Sequence, residues 1–206
     1  MTPVLQGLVL AGGRSQRMGT DKALLRIGER TLLSRSVQCL QRVVSTVHIS
    51  VRSAEQAAAS YASGNVIVDR RAGLGPAAGL LTAHSLHPEA AWLVLAVDMP
   101  LVTTGVLAEL VAAREPAADA TAWRAAADGR PEPLCALYEP ATLAALTAHV
   151  DEGGGGSLRR WLEGARVNYL TGTSSELLRS ANTPEDFEQL RRRQATSMTN
   201  GKPDGR

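Results

Sequence analysis

The chain has 206 residues, 44% of them hydrophobic but only 3% aromatic, with a formal net charge of +2. That is enough apolar material for one packed domain resting on Leu, Val and Ala, which suits alternating helices and parallel strands better than an aromatic-rich sandwich. The near-neutral charge calls for neither nucleic acid nor an anionic membrane, and no apolar stretch approaches the roughly 20 residues of a membrane span.

The chain begins directly with a strand-like run, without a basic leader, so the cytoplasm is the expected compartment. Leu8-Val9-Leu10 reads as a buried strand ending at Gly12-Gly13. Residues 31–44 place Leu33, Val37, Leu40 and Val44 at helical spacing. A strand is predicted over 47–51 and a helix over 53–62, with Ser53 as N-cap and Gln56 three residues on. Val66 to Val68 is a short strand ending at Asp69, and Pro76 opens a helix to about Leu86. The apolar run 92–97 ends at Asp98, and Thr103 or Thr104 caps a helix to about Arg114. Strands at 120–123 and 133–138 flank an Asp128-Gly129 turn, a helix spans 141–150, and four glycines at 153–156 break the chain. Ser157 caps a helix through Trp161 and Leu162, a last strand lies at 167–170, and Thr183-Pro184-Glu185-Asp186 starts a helix. The alternation indicates an α/β fold with a doubly wound, mostly parallel sheet in a three-layer α/β/α arrangement. Residues 1–193 are expected to form a single domain, and the polar, aperiodic stretch 194–206 a disordered tail.

Three segments have the composition of a ligand site. The first runs Leu10-Ala11-Gly12-Gly13-Arg14-Ser15-Gln16-Arg17-Met18-Gly19-Thr20-Asp21-Lys22. It leaves a strand at the sheet edge where open α/β folds bind ligands. Glycines let backbone N–H groups approach phosphate oxygens, and Arg14, Arg17 and Lys22 add positive charge. Lys22 and Lys202 are the two lysines among 22 basic residues, so Lys22 stands out against an arginine background. The same residues also fit a plain glycine turn with solvated arginines. The spacing is not that of a Walker A loop, since five residues separate Gly13 from Gly19 and the segment lacks a Gly-Lys-Ser/Thr ending. The second segment is Asp69 to Gly79, with Gly73, Gly75 and Gly79. It reads either as a loop approaching a base or ribose edge or as an ordinary turn before a helix. The third is Asp98-Met99-Pro100. A carboxylate at a strand end suits magnesium, which takes one or two carboxylates plus phosphate oxygens. Cys39 and Cys135 lie far apart and read as small buried thiols, and the four histidines share no ligand spacing.

Taken together, these residues resemble the molybdenum cofactor guanylyltransferases, a nucleotidyltransferase family. The resemblance rests on Leu10-Ala11-Gly12-Gly13, Arg17-Met18-Gly19 and Asp21-Lys22, then Asp69 with Gly75-Pro76-Ala77-Ala78-Gly79. It continues at Asp98-Met99-Pro100, Pro133-Leu134, Ala136-Leu137-Tyr138 and Asn182-Thr183-Pro184-Glu185, covering about residues 5–190 in order. It implies a nucleotidyltransferase, Rossmann-like architecture. It further implies that Leu10, Ala11, Gly12 and Gly13 hold a nucleotide, with Arg17 and Lys22 neutralising phosphate charge. Asp69 would contact the nucleotide, and the loop with Gly75, Pro76 and Gly79 would help select guanine. Asp98 would ligate Mg2+ beside GTP, and Asn182 would sit near the pterin. One departure stands at Arg52, where family members often carry an Asn that touches the nucleotide.

The implied reaction moves GMP from GTP to molybdenum-molybdopterin, with transient contact with cofactor-supplying and cofactor-receiving proteins. Three alternatives stay open. One is a CTP-dependent cytidylyltransferase, whose members tend to carry a second Ala where Gly12 stands. The others are a sugar-phosphate nucleotidyltransferase and a non-enzymatic nucleotide-binding delivery protein.

Overall fold

In the computed structural model, residues 2–12, 21–60, 64–125, 128–172, 176–183 and 185–189 are described. Four apolar segments become parallel strands: β1 (Leu5–Leu10), β4 (Val47–Val51), β5 (Asn65–Val68) and β6 (Ala91–Ala96). They pair in the order β5-β4-β1-β6, with Leu8 opposite His48 on one side and Val94 on the other. The sheet continues through β8 (Pro131–Tyr138), β7 (Ala120–Arg124) and β9 (Val167–Leu170), making seven strands. Only β8 runs against the rest among these seven, pairing antiparallel to β6 and to β7, while β7 and β9 are parallel. The hairpin expected around Asp128-Gly129 is therefore present, with Gly129 at φ +67° in the left-handed region that favours glycine. Both of its strands are longer than the apolar pattern suggests, because Pro131 still pairs with Arg124 past an irregularity.

Alternate residues of each central strand feed opposite faces, as the strand period requires. Val9, Leu93 and Leu95 join one core with Leu32, Leu33 and Leu40 of α1 (Leu32–Gln41) and Val106, Leu107 and Leu110 of α4 (Thr104–Ala112). Leu8, Leu10, Trp92 and Val94 join the other core. There they pack on α3 (Pro76–Leu86), α5 (Pro140–Asp151) and α6 (Leu158–Gly164). The result is the three-layer α/β/α arrangement read from the pattern.

Caps form at Thr103, Ser157 and Ser53 as expected, and also at Thr31, which the apolar spacing alone does not mark as a cap. Thr31, Thr103 and Ser157 accept backbone N–H bonds from Ser34, Val106 and Arg160 at 3.1, 3.4 and 3.4 Å. Ser53 accepts from Gln56 N at 3.3 Å at the start of α2 (Ala54–Ser60). Two elements lie outside the expected pattern: a 3-10 turn, Lys22–Leu24, and a two-residue ribbon pairing β2 (Arg26–Ile27) with β3 (Arg30–Thr31) across Gly28. Elements this short show no periodicity to read. β6 stops at Ala96, earlier than the apolar run, because Met99 N turns back to the Ala96 carbonyl at 3.2 Å. The expected tail from residue 194 lies outside the described residues.

Candidate functional site

The carboxyl ends of the parallel strands open into a cleft of about 730 Å3, within the range of small-molecule sites. The end of β1 contributes Leu10, Ala11 and Gly12, and the end of β4 contributes Ser50 and Arg52. Asp69 comes directly after β5, and the chain from Arg70 through Pro76 forms the next wall. Ala96 ends β6 and Val97 and Asp98 follow it, Leu134 comes from β8, and Lys22 and Asn182 arrive from distant parts of the sequence.

Asp69 is held by the Ser50 hydroxyl, which donates to its Oδ1 at 2.7 Å. Burial pushes the Asp69 carboxyl above its ordinary value, and the Ser50 bond works against that shift. Gly12 runs close by: a Cβ there would lie 3.2 Å from Arg52 N and 3.3 Å from Asp69 Oδ2. The loop after Asp69 is fixed by α3, since Arg70 N donates to Thr82 Oγ1 at 3.1 Å and that hydroxyl donates to the Ala78 carbonyl at 2.7 Å. Gly75 caps α3 at φ +57°, a conformation that L side chains rarely adopt, and Pro76 fills the first turn, where its missing N–H costs nothing. Arg71 ties the same loop to α5 through Asp151 at 2.6 Å.

Asp98 lies at the floor of the cleft. Its Oδ1 is buried with no hydrogen-bond partner. Burial raises its carboxyl, opposed first by the charge of Lys22 and then by its backbone N–H and Ser180. The Lys22 ammonium donates to Asn182 Oδ1 at 2.9 Å and to the Ala181 carbonyl at 3.3 Å. Ala181 N in turn donates to the Asp98 carbonyl at 2.7 Å, which closes a ring of contacts. Asn182 is steadied by Asp186 Oδ2, which accepts the N–H groups of Asn182 and Thr183 at 2.9 and 3.0 Å. Thr183 Oγ1 accepts Asp186 N at 3.2 Å, the cap expected of that residue, and the backbone is helical at 185–189; Pro184 lies outside the described residues.

The ammonium, the two aspartates, the first glycine and Asn182 expected at one site are therefore brought together, although Lys22 and Asn182 are 160 positions apart. Gly13 and Arg17 lie outside the described residues. Gly79 does not line the cleft; it sits in α3 against the sheet, where a Cβ would meet Ser50 Oγ at 2.0 Å. Its lack of a side chain lets α3 approach β4. Arg70 and Arg71, within the segment from Asp69 to Gly79, and Leu134, within the Pro133-Leu134 motif, also line the cleft, as does Ser50, which sequence reasoning does not single out. Ser50 carries one signal, a small hydroxyl in an otherwise buried strand end.

A family model described as the MobA-like NTP transferase domain matches residues 7–169. A probable molybdenum cofactor guanylyltransferase of Opitutus terrae is 35% identical over 200 residues, covering 93% of this chain and 96% of the relative. A molybdenum cofactor biosynthesis bifunctional protein of Synechocystis is 30% identical over 90% of this chain, and the chain spans 53% of that relative's length. The fold is also that of molybdopterin-guanine dinucleotide biosynthesis protein A from Archaeoglobus fulgidus, with a TM-score of 0.74 at 24% identity. That superposition covers 93% of this chain and 99% of the other. The chain belongs to the MobA-like NTP transferase family and is a nucleotidyltransferase.

Proposed function

We propose that this nucleotidyltransferase moves GMP from GTP to the phosphate of molybdenum-molybdopterin, giving the guanine dinucleotide form of the cofactor and pyrophosphate. The observation that carries the reading is the meeting of Lys22 and Asp98 in one cleft beside the glycine edge of β1. An acceptor phosphate oxygen bonds to the α-phosphorus of GTP while the bond from that phosphorus to the bridging oxygen breaks. The electron pair leaves with pyrophosphate. An ionised acceptor phosphate has no proton to give up, so positioning and charge neutralisation do the catalytic work.

Each residue has a part in that work. The backbone of Leu10, Ala11 and Gly12, with Gly13, approaches the phosphates, and Lys22 and Arg17 offset their charge. Asp69, oriented by Ser50, takes a polar group of the nucleotide. The loop ending at Gly75 and Pro76 faces the base, and Gly79 serves it from behind through helix packing. Asn182, already oriented by Asp186, meets the pterin. Asp98 would hold magnesium: it lines the cleft and its Oδ1 is buried without a hydrogen-bond partner, and since no group of three or more His, Cys, Asp or Glu gathers among the described residues, this carboxylate would share the ion with phosphate oxygens. When bound, magnesium would supply positive charge that offsets the charge developing on the phosphates, with Asp98 as its protein ligand. On this reading the reaction would run in the cytoplasm, where supplying and receiving proteins would meet the enzyme transiently. Among the described residues, no helix is long and apolar enough to cross a membrane.

The test is pyrophosphate release with magnesium, molybdenum-molybdopterin and each of the four nucleoside triphosphates. GTP should give product and the others little. Asp98→Asn should cut turnover at least a hundredfold, about 2.7 kcal/mol of transition-state stabilisation. Equal use of CTP would refute the base assignment, and near-normal turnover by Asp98→Asn would remove Asp98 from the reaction.

A further inference from the structure

The chain leaves the sheet at Ala11 and is capped again at Asp21, and one side chain touches both places. Gln56, on α2, donates from Nε2 to the Ala11 carbonyl at 3.1 Å and to Asp21 Oδ2 at 2.9 Å. Its Oε1 accepts the Arg52 N–H at 3.0 Å. A glutamine amide offers two N–H donors and one carbonyl oxygen. Here both hydrogens and the oxygen are committed, each to a different element. The Gln56 backbone is itself fixed, donating to Ser53 Oγ at 3.3 Å.

Each partner is tied to the cleft. Ala11 extends β1 and lines it. Arg52 lines it too, and its N–H is the atom that a Cβ on Gly12 would approach at 3.2 Å. Asp21 caps the turn Lys22–Leu24, its Oδ1 accepting Ala23 N at 3.0 Å, so its two oxygens orient the next residue, Lys22. Gln56 is not among the lining residues of the cleft. It acts on them from behind.

We infer that Gln56 is a positioning residue for the nucleotide, its amide clasping Ala11, Asp21 and the end of β4 so that Lys22 meets the triphosphate in a fixed place. This assignment rests on the GTP reading proposed for the cleft. The polarity of the clasp is specific. A carboxylate at position 56 has no hydrogen to donate and would face both Asp21 and the Ala11 carbonyl with negative charge. Asn at position 21 would restore one bond with donor and acceptor exchanged, its Nδ2 donating to position 56 while its Oδ1 still accepts Ala23 N.

The experiment compares wild type, Gln56→Glu, Asp21→Asn and the double variant. Each is measured for steady-state kinetics with GTP and molybdenum-molybdopterin, equilibrium GTP binding and urea unfolding. Gln56→Glu should raise KM and Kd for GTP about tenfold, with the acceptor KM within about twofold. Adding Asp21→Asn should recover at least about threefold of that loss. An unchanged GTP constant in folded Gln56→Glu, an equal rise for both substrates, or no recovery in the double variant would overturn the assignment. Should Gln56→Glu not fold, Gln56→Ala loses the same bonds without repulsion and should weaken GTP about fivefold; no weakening overturns the clasp. If wild type does not use GTP, the substrate reading fails separately. The clasp is then decided by the unfolding cycle, where coupling between positions 21 and 56 supports it and additivity overturns it.

Discussion

Replacing Gly79 with Ala should destabilise the protein although it improves helix propensity. The new Cβ would lie 2.0 Å from Ser50 Oγ, 2.9 Å from Ser50 Cβ and 3.0 Å from Leu10 Cδ2. Ser50 is buried and its hydroxyl is committed to Asp69 at 2.7 Å, so relief requires either a shift of α3 or loss of that bond. Overpacking of this kind costs about 1–3 kcal/mol, and a hydrogen bond to a charged group is worth about 1.5–3 kcal/mol. The gain from Ala over Gly in a helix is about 1 kcal/mol, leaving a net loss of about 1 kcal/mol and at most about 2 kcal/mol. Urea unfolding of wild type, Gly79→Ala, Ser50→Ala and the double variant measures this. Removing the Ser50 hydroxyl takes away the closest contact, so the double variant should be at least about 1 kcal/mol more stable than the two single losses predict together. Costs that add within about 0.5 kcal/mol, or a Gly79→Ala protein as stable as wild type, would refute the reasoning.

Two further outcomes concern stability away from the cleft. Arg114 and Glu139 form a buried two-point ion pair at 2.7 and 2.9 Å, so Arg114→Met, leaving the carboxylate uncompensated, should cost about 3–5 kcal/mol in chemical unfolding. Glu139→Gln in that background should recover part of it. Burial, and secondarily the charge of His87, holds the His48 imidazole below its ordinary value. The unfolded chain then binds the proton more readily, so stability present above about pH 6.5 is lost as pH falls toward the folded-state value. The slope from this group is at most about 1.4 kcal/mol per pH unit, and a His48→Gln variant unfolded at about pH 7 and pH 5 should show a smaller loss than wild type.

Most of the sheet can be read from the sequence because its strands are apolar runs that end at glycine or aspartate. Leu8–Leu10 and Trp92–Ala96 are buried on both faces, and such runs are conspicuous in a chain so poor in aromatics. The caps at Thr103 and Ser157 are legible because capping is local chemistry. The carboxylates Asp69 and Asp98 are legible because they come after strands whose ends must share one edge. Long-range contacts are not. Nothing near Lys22 in the sequence names Asn182 as its acceptor, and Gln56 reads locally as a capping residue although its amide serves Ala11 and Asp21. Gly79 reads as part of the ligand loop because its neighbours in sequence reach the cleft, whereas helical rotation turns it to the sheet. The helical period would indicate that only once the helix is placed against β4.

The reversed direction of β8 brings a hairpin, not a strand-to-helix connection, to this side of the cleft. β1, β4 and β6 bring their last residues to the cleft, but β8 brings its first half, with Leu134. The side chain presented there is therefore governed by the reach of the chain from 125 to 130, not by the helix at the far end of the strand. Adding or deleting a single residue in that reach would exchange inward and outward positions along the strand unless a bulge absorbed the change. Cys135 and Leu137 belong to one core, and Ala136 and Tyr138 to the other, so the interior resists such a slip and keeps Leu134 in place. A length change in that hairpin is thus expected to be taken up as a bulge near the turn, leaving Leu134 and the β1 edge of the cleft as they are.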